Sequence, residues 1–184
     1  SWSEFVGSWE LLRFGKATTV RTSKSLARRP FDPVKRAEAR KALKYPVVSL
    51  NGVQARAVWR GFANYARKSN LSVLACSILP QHVHLVLARH RLQVEQIVNL
   101  LKGAATSQLI DEQIHPLANY QGTKTRPPKA FARGLWKVFL DDQHDIQRSI
   151  SYVQGNPMRE GLPRQHWSYV SDSEMARVSL SAHG

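Results

Sequence analysis

The chain has 184 residues, 42% of them hydrophobic, which is enough apolar material for one compact domain with its own core. Lys and Arg number 27 against 13 Asp and Glu, a formal charge of +14, and Cys76 is the single cysteine. This excludes an internal disulfide framework; apolar runs of only a few residues argue against a membrane-spanning helix, and "SWSEFVGSWELL" lacks the basic-then-apolar build of a signal peptide. The expectation is a soluble protein of the cytoplasm, with Cys76 a small buried hydrophobe.

The positive charge is local. Residues 1–70 hold 15 basic and 4 acidic side chains, whereas 71–184 hold 12 and 9. The excess is densest through "RTSKSLARRP" and "VKRAEARKALK". Such a surface suits a polyanion, and nucleic acid fits better than a membrane because no apolar face accompanies the charge. Arg28, Arg29, Lys35 and Arg36 are the candidate phosphate contacts, with Lys102 a weaker one further along. The plainer alternative is a solvated helix face or a solubilising tail.

In chain order, "ATTVRTS" (17–23) has the β-branched content of a strand, and Asp32–Pro33 opens a basic helix that stops before Pro46. Asn51 caps a second helix with Val58, Phe62 and Ala66 on one face, ended by "KSN". Trp59 and Tyr65 on that helix could stack on bases, but their spacing favours core packing. "LSVLACSIL" (71–79) and "HVHLVLA" (82–88), separated by Pro80-Gln81, read as two antiparallel strands in mid-sheet. Val94, Ile97, Val98 and Leu101 give "LQVEQIVNLLKGAATSQLI" the period of a helix packed on a sheet. Residues 112–134 form a long, basic and mobile connection, "LWKVFL" (135–140) alternates like a strand, and "DDQHDIQRSISYVQGNP" reads as a helix begun by acidic residues. This order predicts an α+β sandwich, an antiparallel sheet with helices packed on one face. The predicted boundaries are an N-terminal extension (1–16), one domain (17–165) and a C-terminal tail (166–184), with "SDSEMARVSLSAHG" frayed.

Within the second predicted strand, "LPQHVHLVL" places His82 and His84 on one face with Val86, roughly 7 Å apart along the backbone by the rise of a strand. Two imidazoles at that spacing can tilt toward one metal ion, but they need a third protein ligand and an open position for water or substrate. The alternative is a pair of ordinary polar residues near a strand end. A histidine-triad phosphohydrolase is disfavoured because Val86 stands at its third histidine place, and a cysteine-built zinc site lacks thiols. On the last helix, Ile146, Ile150 and Val153 form the apolar stripe, and Tyr152 lies off it. Asp145, Ser149, Tyr152 and Asn156 form a polar column at spacings of four, three and four. A phenol there suits a nucleophile that must meet a substrate, although a rim aromatic is the commoner role. Pro157 disfavours helical geometry at Asn156, so the helix is expected to end near Gln154 or Gly155.

"LPQHVHLVL", then "GLWKVFLDD", then "SISYVQGNPMREGL" resemble, in order and separation, the segments of the single-tyrosine transposases of the HUH endonuclease superfamily, in particular the REP-associated branch. The resemblance covers roughly residues 70–165 and thins toward the N-terminus. It implies a ferredoxin-like sandwich with both histidines on a central strand, His82, His84 and Asn156 as ligands of magnesium or manganese, and Tyr152 as the nucleophile. The implied activity is cutting and joining single-stranded or hairpin DNA through a 5′-phosphotyrosine. Gln81, Met158 and "REGL" depart from the family's usual Asn, Val and "KAGL" or "RAGL"; none removes a catalytic group. Asp145 is a candidate helper in deprotonating the phenol, a helix-capping role being the stronger one. No Walker-type phosphate loop is present. The rivals are a DNA- or RNA-binding protein that kept the fold but not the chemistry, and a metal-dependent phosphodiesterase of small molecules. A monomer is expected, with a helix-swapped homodimer allowed.

Overall fold

The computed structural model describes residues 41, 43–133, 135, 137, 139–140 and 142–170. The strand expected at 17–23, the helix opened by Asp32, and Arg28, Arg29, Lys35 and Arg36 lie outside the described residues. Among those described, the elements are α1 (Gly52–Ser69), β1 (Val73–Ile78), β2 (Val83–Leu87), α2 (Val94–Asp111), a short 3₁₀ turn at Ala118–Tyr120, and α3 (Gln143–Arg159). The class is α+β, compatible with a ferredoxin-like arrangement.

Local chemistry explains both ends of α1. The Asn51 side chain accepts from the Gln54 N–H at 2.9 Å while the Gln54 side chain accepts from the Asn51 N–H at 3.0 Å. This reciprocal cap satisfies two N–H groups that the helix cannot pair internally. At the other end Asn70 adopts the left-handed conformation, φ 56°, and the N–H groups of Asn70 and Leu71 close on the Ala66 carbonyl.

The β1–β2 hairpin is antiparallel and turns tightly, with Leu79 N–H donating to the His82 carbonyl at 2.9 Å across Pro80-Gln81. Register pairs Ser77 with His84, Cys76 with Leu85 and Ala75 with Val86, and slips between Val73 and Ala75. That irregularity lets Leu74 and Ala75 share one face, so the two sides of the hairpin carry different chemistry.

On one side Val73, Cys76 and Ile78, with Val83, Leu85 and Leu87 against them, pack on α1 and α2 through Val58, Phe62, Ile97 and Leu101. Trp59 is buried in this cluster, as its helical spacing predicts, and so is Cys76, whose thiol burial pushes strongly upward. Gly61 permits the close approach of α1 to α2: a Cβ there would meet the Ala104 carbonyl oxygen at 2.7 Å and Ala105 Cα at 2.8 Å. Arg60 and Glu112 then clasp the two helices in a two-point ion pair at 2.8 and 2.5 Å.

α3 lies on the opposite side, where Ile150 and Val153 pack on Leu74, Ala75 and Val86. The expectation of helices on one face therefore holds for α1 and α2 and is corrected for α3. The reason lies in the hairpin, whose second face is apolar enough at Ala75 and Val86 to require its own cover. Residues 135, 137, 139 and 140 carry no strand assignment, so the strand predicted at 135–140 is not formed by its described residues. Lys137 pairs instead with Glu95 at the start of α2, and Phe139 is 70% exposed.

After α3 the chain returns along the outer edge of β1. The Gln165 carboxamide accepts from Ile78 N–H at 2.9 Å and donates to the Ile78 carbonyl at 2.7 Å. Trp167 stacks on Trp59 with ring centres 5.5 Å apart, and Val170 forms a parallel bridge with Val73.

Candidate active site on the helix-covered face of the hairpin

His84 lies inside β2 and His82 immediately precedes it. Their rings sit edge to face, centroids 4.9 Å apart. Among the described residues β1 is the strand with a neighbour on each side, β2 on one and Val170 on the other, and β2 pairs only with β1. Burial, and after it the neighbouring His82, push the His84 imidazole down to about 4. At neutral pH it is therefore uncharged and keeps a lone pair for a ligand.

Tyr152 meets this pair. Its ring centroid is 6.1 Å from that of His84, the two planes perpendicular, and the residue is 51% exposed, so the phenol stands at the border of the site and solvent. The Arg159 guanidinium lies 4.8 Å from the Tyr152 ring centre, one cation–π contact deep. Asn156 follows one turn after Tyr152 and is 6% exposed; its amide nitrogen is buried without a hydrogen-bond partner. An unsatisfied buried amide costs about 1–3 kcal/mol, so the site retains unspent polar capacity. Turned end for end, the same amide offers an oxygen to a cation. The hydroxyl of Ser77, opposite His84 in the register, is likewise buried without a partner.

The helix that carries these groups runs further than predicted. Pro157 is buried within α3, which continues to Arg159 rather than ending near Gln154 or Gly155. Its last turn is closed by Gly161 N–H on the Met158 carbonyl at 3.1 Å and Leu162 N–H on the Pro157 carbonyl at 2.8 Å. Gly161 takes the left-handed φ, 71°, that this closure demands. The extension brings in a group the sequence reading passed over. Glu160, at the end of α3, places Oε1 3.2 Å from His82 Nε2. The departure of "REGL" from the family pattern was visible, but its position beside His82 depends on the helix passing through Pro157.

Two other predicted residues have structural partners. Asp145 pairs with Arg148, and its N–H donates to the Asp142 side chain at 2.7 Å, so the capping residue of α3 is Asp142 and not Asp145 as expected. Lys102 donates to the Ala132 carbonyl at 2.8 Å, and burial lowers its pKa, so its ammonium is engaged with the 112–134 connection.

His82 meets His84, and His84 meets the exposed Tyr152, in ring contacts, while Asn156 lies buried one helical turn beyond Tyr152; nitrogen and oxygen donors of these types suit a divalent cation. Among the described residues no three His, Cys, Asp or Glu are already gathered as a metal cluster, and no helix is long and apolar enough to cross a membrane. No curated protein and no solved structure matches the chain. The model of the IS200-like transposases matches residues 42–154, well over half the length and inclusive of α1, the hairpin, α2 and Tyr152. With both histidines and the tyrosine inside that match, the chain belongs to the IS200-like transposase family.

Proposed function

We propose that this transposase is of the REP-associated, single-tyrosine kind, and that it cuts and rejoins single-stranded DNA beside a hairpin with Tyr152 as nucleophile. The observation that carries the reading is the meeting of Tyr152 with His84, residues 68 positions apart whose rings stand 6.1 Å from each other. His82, His84 and Asn156 would hold a magnesium or manganese ion. When bound, the ion polarises the P–O bonds of the scissile phosphate.

The chain's own residues supply the rest. The Tyr152 oxygen forms a bond to phosphorus as its proton departs, and the bond from phosphorus to the 3′ oxygen breaks. The leaving strand gains that proton as a 3′-hydroxyl, and the downstream strand stays attached to Tyr152 through its 5′ phosphate. One phosphodiester replaces another, so attack by a second 3′-hydroxyl reverses the step without a nucleoside triphosphate. Arg159, against the Tyr152 ring, is placed to offset negative charge on the phosphate as the tyrosyl ester forms. The basic excess of residues 1–70 supplies the affinity for DNA, with Arg28, Arg29, Lys35 and Arg36 as phosphate contacts. Because the histidines and the tyrosine meet within one chain, a monomer suffices.

The test is a single-stranded hairpin labelled at its 3′ end, incubated with manganese and run on a denaturing gel. Wild type is expected to give a slow protein–DNA adduct. Tyr152→Phe is expected to give none while still retarding the same DNA on a native gel. An adduct that persists in Tyr152→Phe overturns the assignment.

A further inference from the structure

The close contact between the Glu160 carboxylate and the His82 imidazole has no counterpart in the ligand set proposed above. We infer that Glu160 is an additional, anionic ligand of the divalent-cation site, one that lets the protein hold the ion before DNA arrives. This rests on the reading of His82 and His84 as ligands.

The spacing supports it. Magnesium takes oxygen and nitrogen donors near 2.1 Å in octahedral array, which puts two adjacent donors about 3.0 Å apart. Glu160 Oε1 and His82 Nε2 are 3.2 Å apart, close to that spacing, and because His82, His84 and Glu160 are not already gathered as a cluster, a swing of the Glu160 side chain would complete the site. The His82 side chain is only 12% exposed and fixed by the hairpin turn, whereas that of Glu160 is 42% exposed at a helix end and able to swing. The more buried partner would position the ion and the more exposed one complete the shell.

Charge supplies the reason for a carboxylate. His82, His84 and Asn156 are all neutral donors when they ligate, and hard divalent ions are ordinarily held by one or two carboxylates together with substrate phosphates. A site of neutral donors depends on the phosphate to bring the negative charge. Glu160 provides one negative charge from the protein itself, next to the imidazole. Arg159, the adjacent residue, is turned to the Tyr152 ring. The two neighbours thus divide their tasks, the carboxylate to the ion and the guanidinium to the phenol.

The experiment is manganese binding without DNA, followed by the loss of the free-ion signal in electron paramagnetic resonance, on wild type, Glu160→Gln, Glu160→Ala and His84→Ala. Wild type is expected to bind one equivalent. Both Glu160 variants are expected to bind roughly tenfold or more weakly, and His84→Ala at least as weakly. A crystal soaked in manganese should show Glu160 oxygen within bonding distance of the anomalous peak. Undiminished binding in both Glu160 variants, or a peak more than about 3.5 Å from that oxygen, overturns the inference about Glu160 alone. Absence of binding in wild type overturns the inference that Glu160 lets the ion be held before DNA arrives, whereas full binding in His84→Ala overturns the metal reading of the histidines as well.

Discussion

The two faces of the β1–β2 hairpin are built from the same ten or so residues and do opposite things. Toward α1 and α2 the side chains are Val73, Cys76, Ile78 and Leu85, in a cluster reinforced by Leu101 and Leu109, each 1% exposed or less. Toward α3 the packing is brief, Ala75 and Val86 against Ile150 and Val153, and gives way to Ser77, His82, His84, Tyr152 and Asn156. The first face is dominated by apolar contacts, with the Trp59 indole N–H buried among them; the second contains the buried Ser77 hydroxyl and Asn156 amide, which likewise lack partners. The difference teaches that stability and chemistry are assigned to separate sides of one small sheet, so each can be damaged alone.

That separation can be broken or sharpened by substitution. The largest effect expected on the chemical side is Tyr152→Phe: complete loss of the covalent adduct, with stability changed by less than about 0.5 kcal/mol in urea unfolding because the residue is half exposed. On the other side Leu101→Ala should cost about 2–5 kcal/mol in the same unfolding measurement while leaving adduct yield per folded molecule unchanged at low temperature. Gly61→Ala should cost about 1–3 kcal/mol, since the new Cβ meets backbone atoms of α2 that cannot step aside.

A pH series separates the regions further. His115 lies in the segment after α2, buried, and burial lowers its pKa from 6.5. The unfolded chain therefore takes up a proton that the folded chain resists, and stability falls as pH drops below about 6.5 toward the lowered folded value. His115→Asn is expected to flatten part of that decline in thermal unfolding followed between pH 7.5 and 5. The smallest effect is Ser77→Ala, which removes a buried hydroxyl with no partner: a change within about 1 kcal/mol, neutral or stabilising, and a larger loss would show that the hydroxyl is engaged.

Much of this was legible in the residues. Asn51, Gln54 and Asn70 announce both ends of α1, because capping is a local interaction within four residues. The hairpin could be read from two apolar runs around Pro80-Gln81, and the meeting of Tyr152 with His84 is what the resemblance to the single-tyrosine transposases implies. What could not be read required knowledge beyond the local window. The end of α3 was misplaced because Pro157 is unfavourable for the residue before it, yet the closing bonds from Gly161 and Leu162 and the burial of Pro157 outweigh that penalty. Glu160 reaches His82 only because α3 runs on through Pro157. The alternation in 135–140 suggests a strand, but alternation says only that two faces differ; among its described residues none has a strand assignment, and the Lys137 side chain pairs with Glu95.

Gln165 carries a consequence for life at high concentration. An unguarded strand border is a template on which other chains can assemble into fibrils or aggregates. By presenting one carbonyl and one amide N–H to Ile78, this single side chain imitates the main chain of a neighbouring strand and occupies that template at Ile78. With the bridge from Val170 to Val73 further along, the described border of β1 is thereby shielded at Ile78 against unwanted recruitment by a glutamine side chain.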